Sequence, residues 1–181
     1  MRNNHEKPPS ACAFFMGLIL LLLTASSPAT AAPYSITDDN RDLRFPNMTL
    51  TGDDFLVNAT QCPMMSISVN VSTGWNVTLQ CSNFTRAGGG TIPASNLSYT
   101  ATGGIVTRTQ GQAINTINGP RETGYTGTLE APLKGLTCQP NFGNGKYDWQ
   151  PGAAGFTLLV TADSYAGSYR ATLTMTITAG P

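Results

Sequence analysis

The sequence predicts an all-β chain: a single antiparallel β-sandwich or barrel-like domain behind a short export signal. Three observations carry this. Apolar and polar residues alternate at period two in several segments, which turns one face of a strand to a core and the other to water. Charged residues make up only 11% of the chain, against roughly 25% in an ordinary globular protein, and Thr, Ser, Asn and Gly, which suit strands and turns, take their place. Gly- and Pro-rich breaks at Ala87 to Gly90, Gly103-Gly104, Asn118 to Pro120 and Asn141 to Gly145 separate the periodic segments. No stretch carries the apolar stripe of an amphipathic helix.

Arg2 and Lys7 flank the start of the chain, ahead of a 13-residue apolar run, Ala11 to Leu23. A bilayer-spanning helix needs about 18 residues or more. The run therefore reads as a signal-peptide core, with Ala29-Thr30-Ala31 as its small-residue cleavage site; an uncleaved N-terminal anchor is the alternative. Cleavage removes residues 1–31 and leaves no membrane segment. Residues 32–42 have little apolar content and read as a flexible lead-in. Residues 43–181 are long enough to close one core and read as the β domain.

Within that domain, Met65, Ile67, Val69 and Val71 share one parity against Ser66, Ser68, Asn70 and Ser72. Trp75, Val77, Leu79 and Cys81 repeat the pattern after the turn at Thr73-Gly74. Phe156 to Thr161 is more continuous and reads as a strand covered on both faces. In the last strand Tyr169, Ala171, Leu173, Met175 and Ile177 alternate with Arg170 and four threonines, Thr172 to Thr178. Such a strand is expected to be paired in a sheet rather than frayed, since its apolar side has no other way to leave water.

The same composition excludes several functions. His5 is the one histidine, and it leaves with the signal, so Ser-His-Asp or Cys-His catalysis and His-ligated metals are not expected. Loss of Arg2, Lys7 and Glu6 from a chain of ten basic and ten acidic residues leaves a net charge of −1. That gives no footprint for nucleic acid, which needs clustered Lys and Arg. Asp38-Asp39-Asn40 with Asp42, and Asp53-Asp54, lack the EF-hand pattern and read as solvated loop charge. Neither a metal nor a cofactor is expected. Asp148 and Asp163 are candidates for a hydrolytic carboxylate pair by location alone, and with no nucleophile–base pair the chain is not expected to be an enzyme.

Cys62, Cys81 and Cys138 remain after cleavage, an odd number that allows at most one internal bridge. Cys81 shares the parity of Trp75, Val77 and Leu79, which puts its sulfur in the core and leaves Cys62–Cys138 as the expected disulfide; intermolecular pairing is the alternative. Tyr147 and Trp149 follow the Gly-rich loop Asn141 to Lys146. They read either as a platform on which a sugar ring could stack or as core residues of a strand. Six N-x-S/T sequons, at Asn47, Asn58, Asn70, Asn76, Asn83 and Asn96, would carry glycans in a eukaryotic secreted chain and arise by composition in a bacterial one.

Two segments resemble the signatures of the WxL domain family. The last thirteen residues match the distal signature at Tyr169, Leu173, Thr174 and Pro181, with Ile177 for leucine and Met175 where the family has tryptophan. Gly74-Trp75-Asn76-Val77 is similar to the proximal signature, with Val77 for leucine. WxL domains are C-terminal β-rich modules that hold bacterial surface proteins on the cell wall non-covalently. The resemblance implies an extracellular, cell-surface protein whose partners are peptidoglycan or another wall glycan, and other surface proteins. It makes Trp75, Val77, Tyr169, Leu173, Thr174, Met175, Ile177 and Pro181 the signature residues. Their apolar parity gives Trp75 and Met175 a core role as the other reading. A structural subunit or adhesin that assembles through strand edges is the alternative function.

Overall fold

The computed structural model describes residues 32–181; the export signal expected over residues 1–31 lies outside them. The described chain is all-β, as its periodicity predicts, and every strand pairing is antiparallel. The first sheet runs in the order β1 (Tyr34–Asp38), β3 (Met65–Val69), β12 (Gly145–Gln150), β8 (Ile105–Gly111). The second runs β15 (Leu173–Ala179), β4 (Trp75–Cys81), β11 (Leu133–Cys138), β9 (Arg121–Glu122). Their inner faces meet where the alternation puts the largest apolar residues. Trp75 of β4 and Tyr147 of β12 lie 6.3 Å apart between ring centroids.

A third sheet, β10 (Thr126–Thr128), β7 (Leu97–Thr100), β13 (Phe156–Val160) and β2 (Phe55–Asn58), adds its own apolar face, with Tyr99 stacked on Phe156 at 4.2 Å. A small fourth sheet joins β14 (Tyr169–Arg170), β5 (Phe84–Arg86) and β6 (Thr91–Ile92). Ile67, Val69, Trp75, Val77, Leu79, Leu97, Leu136, Tyr147, Trp149 and Phe156 form one continuous buried cluster. Each such aliphatic or aromatic side chain contributes about 1.5–3 kcal/mol by leaving water.

The parity reading holds in β3 and β4. Met65, Ile67 and Val69 are buried while Ser66 is exposed, and Trp75, Val77, Leu79 and Cys81 are all buried. The turn between them does not close a hairpin: it carries the chain from the first sheet to the second. In β13, Phe156, Leu158 and Val160 are buried and Thr157 and Leu159 half-buried, between β2 and β7.

Two expectations are corrected. Residues 32–42 are not a flexible lead-in: β1 pairs along its whole length with β3, from Tyr34 opposite Val69 to Asp38 opposite Met65. Two half-buried residues, Tyr34 and Ile36, anchor it, and the Tyr34 hydroxyl lies 2.7 Å from Thr73 Oγ1. A strand this short carries too few apolar residues to show as a period, and its backbone ladder leaves no mark on composition. The last strand is also not continuous. It breaks at Ala171-Thr172, so that Tyr169 and Arg170 pair with Arg86 and Thr85 in the fourth sheet, while Leu173–Ala179 pairs with β4 as an edge strand of the second. Ser82 holds the break, accepting from Thr172 N at 2.9 Å through its hydroxyl and donating its own N–H to Thr172 O at 3.0 Å.

Candidate functional site

The residues that carry the family resemblance come together as a strand pair. Leu173 stands opposite Cys81, Met175 opposite Leu79, Ile177 opposite Val77 and Ala179 opposite Trp75. Trp75 and Val77 are fully buried, and Trp75 Nε1 donates to Gly143 O at 3.1 Å. Tyr169, Leu173, Met175 and Ile177 are half-buried against the core. Thr174 and Pro181 are exposed, the latter accepting from Lys134 Nζ at 2.8 Å through its carbonyl oxygen. The signature side chains thus mostly pack the fold. Among them, Thr174 and Pro181 alone face water.

Tyr147 and Trp149 do not form a sugar platform. Both point from β12 into the core, Trp149 at 0% exposure and Tyr147 at 1%, so neither ring offers a face to solvent. Trp149 is instead part of a polar hub that the sequence does not announce. Glu122, half-buried on β9, accepts from Trp149 Nε1 at 3.2 Å and Tyr99 Oη at 3.1 Å through Oε1, and from Gly104 N at 2.8 Å through Oε2. One carboxylate therefore ties the first, second and third sheets together. Burial, followed by the Glu122 charge and its hydrogen bond, pushes the Tyr99 phenol well above its ordinary range. A lone acidic residue in a Thr-rich segment gives no sign of this role until its three donors are placed around it.

The expected Cys62–Cys138 disulfide is also corrected: Cys62, Cys81 and Cys138 are all free and buried. Cys62 donates from Sγ to Pro151 O at 2.7 Å, just beyond the end of β12. Cys138 lies against Gly143, just before its start. At about 3.3 Å per residue these places are roughly 25 Å apart, far beyond the Cα separation of about 7 Å that a bridge tolerates. Cys81 and Cys138 fall at opposite ends of β4, since Cys138 pairs with Trp75. Burial pushes the Cys81 thiol up to about 11 and the Cys138 thiol up to about 12.

Asp148 and Asp163 do not form a pair. Asp148, on β12, accepts from Ser66 Oγ at 2.7 Å; Asp163 sits in the loop after β13 and accepts from Thr161 Oγ1. In the first acidic cluster Asp39 spends its oxygens on internal donors, namely the Arg41 guanidinium and the N–H groups of Arg41 and Met64.

Two concave regions stand out among the described residues. One is a cleft of about 1480 Å³ between residues 36–50 and the loop and strands around Ser164–Met175, with Phe84, Ile92 and Leu158 at its floor. The other is a smaller pocket of about 350 Å³, built from the turn at Gly90-Thr91, Pro93 and Asn96, and the loop Thr161 to Tyr169. Tyr165, at 65% exposure, stands at this pocket beside Asp163. Tyr165 escaped the sequence reading because it falls in no periodic segment. The glycine run Gly88-Gly89-Gly90 was legible only as a break.

No family model matches the chain, and no curated protein matches it. Among solved structures, a family 123 glycoside hydrolase from Clostridium perfringens, described for glycolipid glycan hydrolysis, is 13% identical with a TM-score of 0.36. The match covers 81% of this chain and 25% of that one, so this chain spans about a quarter of that protein. A likeness this slight carries no argument about activity.

Proposed function

We propose that this protein is exported and held non-covalently on the bacterial cell surface, by contact with peptidoglycan or with a partner protein of the same surface. The observation that carries the reading is the register of β4 and β15. The two segments that resemble the WxL signatures are far apart in the chain, yet pair residue by residue from Trp75–Ala179 to Cys81–Leu173. Motif segments that define one strand pair are what a shared domain fold requires. The low charge supports the same reading: two ion pairs occur among the described residues, both between close neighbours in sequence. Binding then rests on shape, hydrogen bonds and aromatic contact rather than on long-range attraction. Co-sedimentation of the purified protein with purified peptidoglycan tests this. Native protein is expected to pellet with the wall and denatured protein to stay in solution. Native protein that stays in solution, alone and with surface proteins encoded beside it, would count against the reading.

A second reading, a structural subunit that assembles through strand edges, is favoured by one feature. β15 is seven residues long and pairs on one side only, with β4, and its Thr174, Thr176 and Thr178 are exposed. An open edge of that length is a template for another strand. Oligomers in the absence of wall, lost on a Thr176→Pro substitution, would favour this reading over the first.

A further inference from the structure

We infer that the pocket between Gly90 and Tyr169 is a glycan subsite that takes one or two uncharged pyranose units, with Tyr165 as the stacking platform. The inference deepens the surface-attachment reading and rests on it for the source of the glycan.

Tyr165 is the reason to look here. A large ring left 65% exposed keeps apolar area in water, and its surroundings hold it there. The Tyr169 hydroxyl donates to Tyr165 O at 3.1 Å and pins the loop from within. The Arg86 guanidinium carbon lies 5.3 Å from the ring centroid and backs the ring as a cation on a π face. Arg86 is fixed in turn, donating from Nε to Gly89 O at 2.7 Å and from Nη1 to Ala166 O at 2.9 Å. Gly90 allows this packing. Its φ is +100°, a backbone conformation that suits glycine, and a Cβ there would press on Tyr169 Oη at 3.2 Å. The ring is thus set before any ligand arrives, which lowers the entropy cost of binding.

The polar groups around the ring suit a sugar. A pyranose presents an apolar patch of C–H bonds on its face and a rim of hydroxyl groups that donate and accept. The Tyr165 ring matches the patch. For the rim, Asp163 uses Oδ1 on Thr161 Oγ1 and keeps Oδ2. Asn96 donates from Nδ2 to Leu159 O at 3.1 Å and keeps its amide oxygen to accept. Thr91 and Ser164 also line the pocket, the Ser164 hydroxyl lying 3.3 Å from Thr161 Oγ1. Charge selects among sugars. Asp163 lines the pocket and repels a carboxylated or phosphorylated ring, while Arg86 backs the tyrosine from outside the lining. The volume of about 350 Å³ falls at the small end of the roughly 300–1,000 Å³ of small-molecule sites, which suits one or two rings and no long groove.

The test is titration of the folded protein with β-1,4-linked N-acetylglucosamine oligomers, and with neutral glucose, galactose and mannose oligomers, read by calorimetry and saturation-transfer NMR. A polygalacturonate oligomer serves as the anionic control. At least one neutral series should bind saturably, and the anionic control should not compete. Tyr165→Ala should weaken binding about tenfold, the change that about 1.4 kcal/mol makes, with an unaltered circular dichroism spectrum. Asp163→Asn should weaken it less, and Tyr125→Ala, at a tyrosine 57% exposed outside the pocket, should leave it unchanged. Absence of saturable binding by every neutral oligomer, or a folded Tyr165→Ala variant that binds like wild type, would overturn the site. The wall experiment fails separately. Pelleting of wild type and Tyr165→Ala alike, with no Tyr165-dependent binding of any neutral oligomer, overturns the pocket and keeps surface attachment. Oligosaccharide binding that depends on Tyr165, in a protein that ignores walls, keeps the pocket and removes attachment.

Discussion

Replacing Glu122 by Gln changes one acceptor oxygen into a donor at nearly constant size, and so isolates the hydrogen bonding that joins three sheets. All three partners of this side chain offer it a hydrogen: Trp149 Nε1 and Tyr99 Oη to Oε1, Gly104 N to Oε2. The Tyr99 hydroxyl can turn and accept. The indole and the backbone N–H cannot. In either amide orientation, one fixed N–H therefore meets the new NH2 group. A buried donor left without an acceptor costs about 1–3 kcal/mol. At about 2–4 °C per kcal/mol for a domain of this size, the melting temperature should fall by roughly 2–12 °C. Urea unfolding followed by tryptophan fluorescence measures the loss directly, because Trp149 is itself a partner. Trp149→Phe removes the indole N–H and lets the oxygen of the introduced amide serve Gly104. The double variant should accordingly lose less than the sum of the two singles, a coupling on the order of 0.5–3 kcal/mol. A Glu122→Gln protein within about 0.5 kcal/mol of wild type, the spread of neutral surface changes, would refute the hub.

Other expectations follow from the same packing. Gly135 lies at the register shift of β11, where an added Cβ would collide with Leu79 Cδ1 and sit 2.8 Å from Trp149 Cη2; Gly135→Ala should destabilise by about 1–3 kcal/mol through overpacking, and an unchanged urea midpoint would count against this placement of Trp149. The Cys81 and Cys138 thiols ionise at ordinary values near 9.0 once unfolded but at about 11 and about 12 when folded. The unfolded chain thus loses these protons first, and the contribution of the thiols, complete below about pH 9, should fade as pH rises through about 11 to 12. Unfolding free energies measured from neutral pH upward should show that decline, shallower in a Cys81→Ala, Cys138→Ala variant; an identical slope in both proteins would contradict it. Deleting Ser168–Pro181 removes β14 and β15, uncovers one edge of β4 along its whole length, and should abolish cooperative melting; an unaltered melting curve would speak against the β15–β4 pairing.

How much of this was legible depends on how many residues share each pattern. Strands with three or four apolar residues in one parity, β3 and β4, stood out because each adds to the same periodic signal, and they hold the positions their parity assigns. β1 has only Tyr34 and Ile36 to offer, and what secures it is a backbone ladder that no side chain reports. The final strand read as one because Tyr169 keeps the parity of Leu173. The break between them depends on Ser82, a residue far away in sequence. The cysteine pairing failed for a related reason: parity says which face a thiol points to but not how far along the strand its partner lies, and here the separation rules out the bond. By sequence Trp149 fits a core better than a sugar site, and the core is where it lies, but its partner Glu122 is recognisable only in three dimensions. Tyr165 and its pocket depend on the Arg86–Gly90 turn meeting the Tyr165–Tyr169 loop, two segments far apart in the chain.

The central claim, non-covalent retention at the cell surface, is tested most directly by fractionating the cells that produce the protein. Isolated walls are washed first in about 1 M salt, where the screening length is about 3 Å, and then in urea. The account predicts that the protein stays on the wall through the salt wash, leaves in urea, and has its N-terminus near Ala32. Recovery in the membrane fraction with Met1 intact, release by salt alone, or release only after enzymatic digestion of the wall would contradict it.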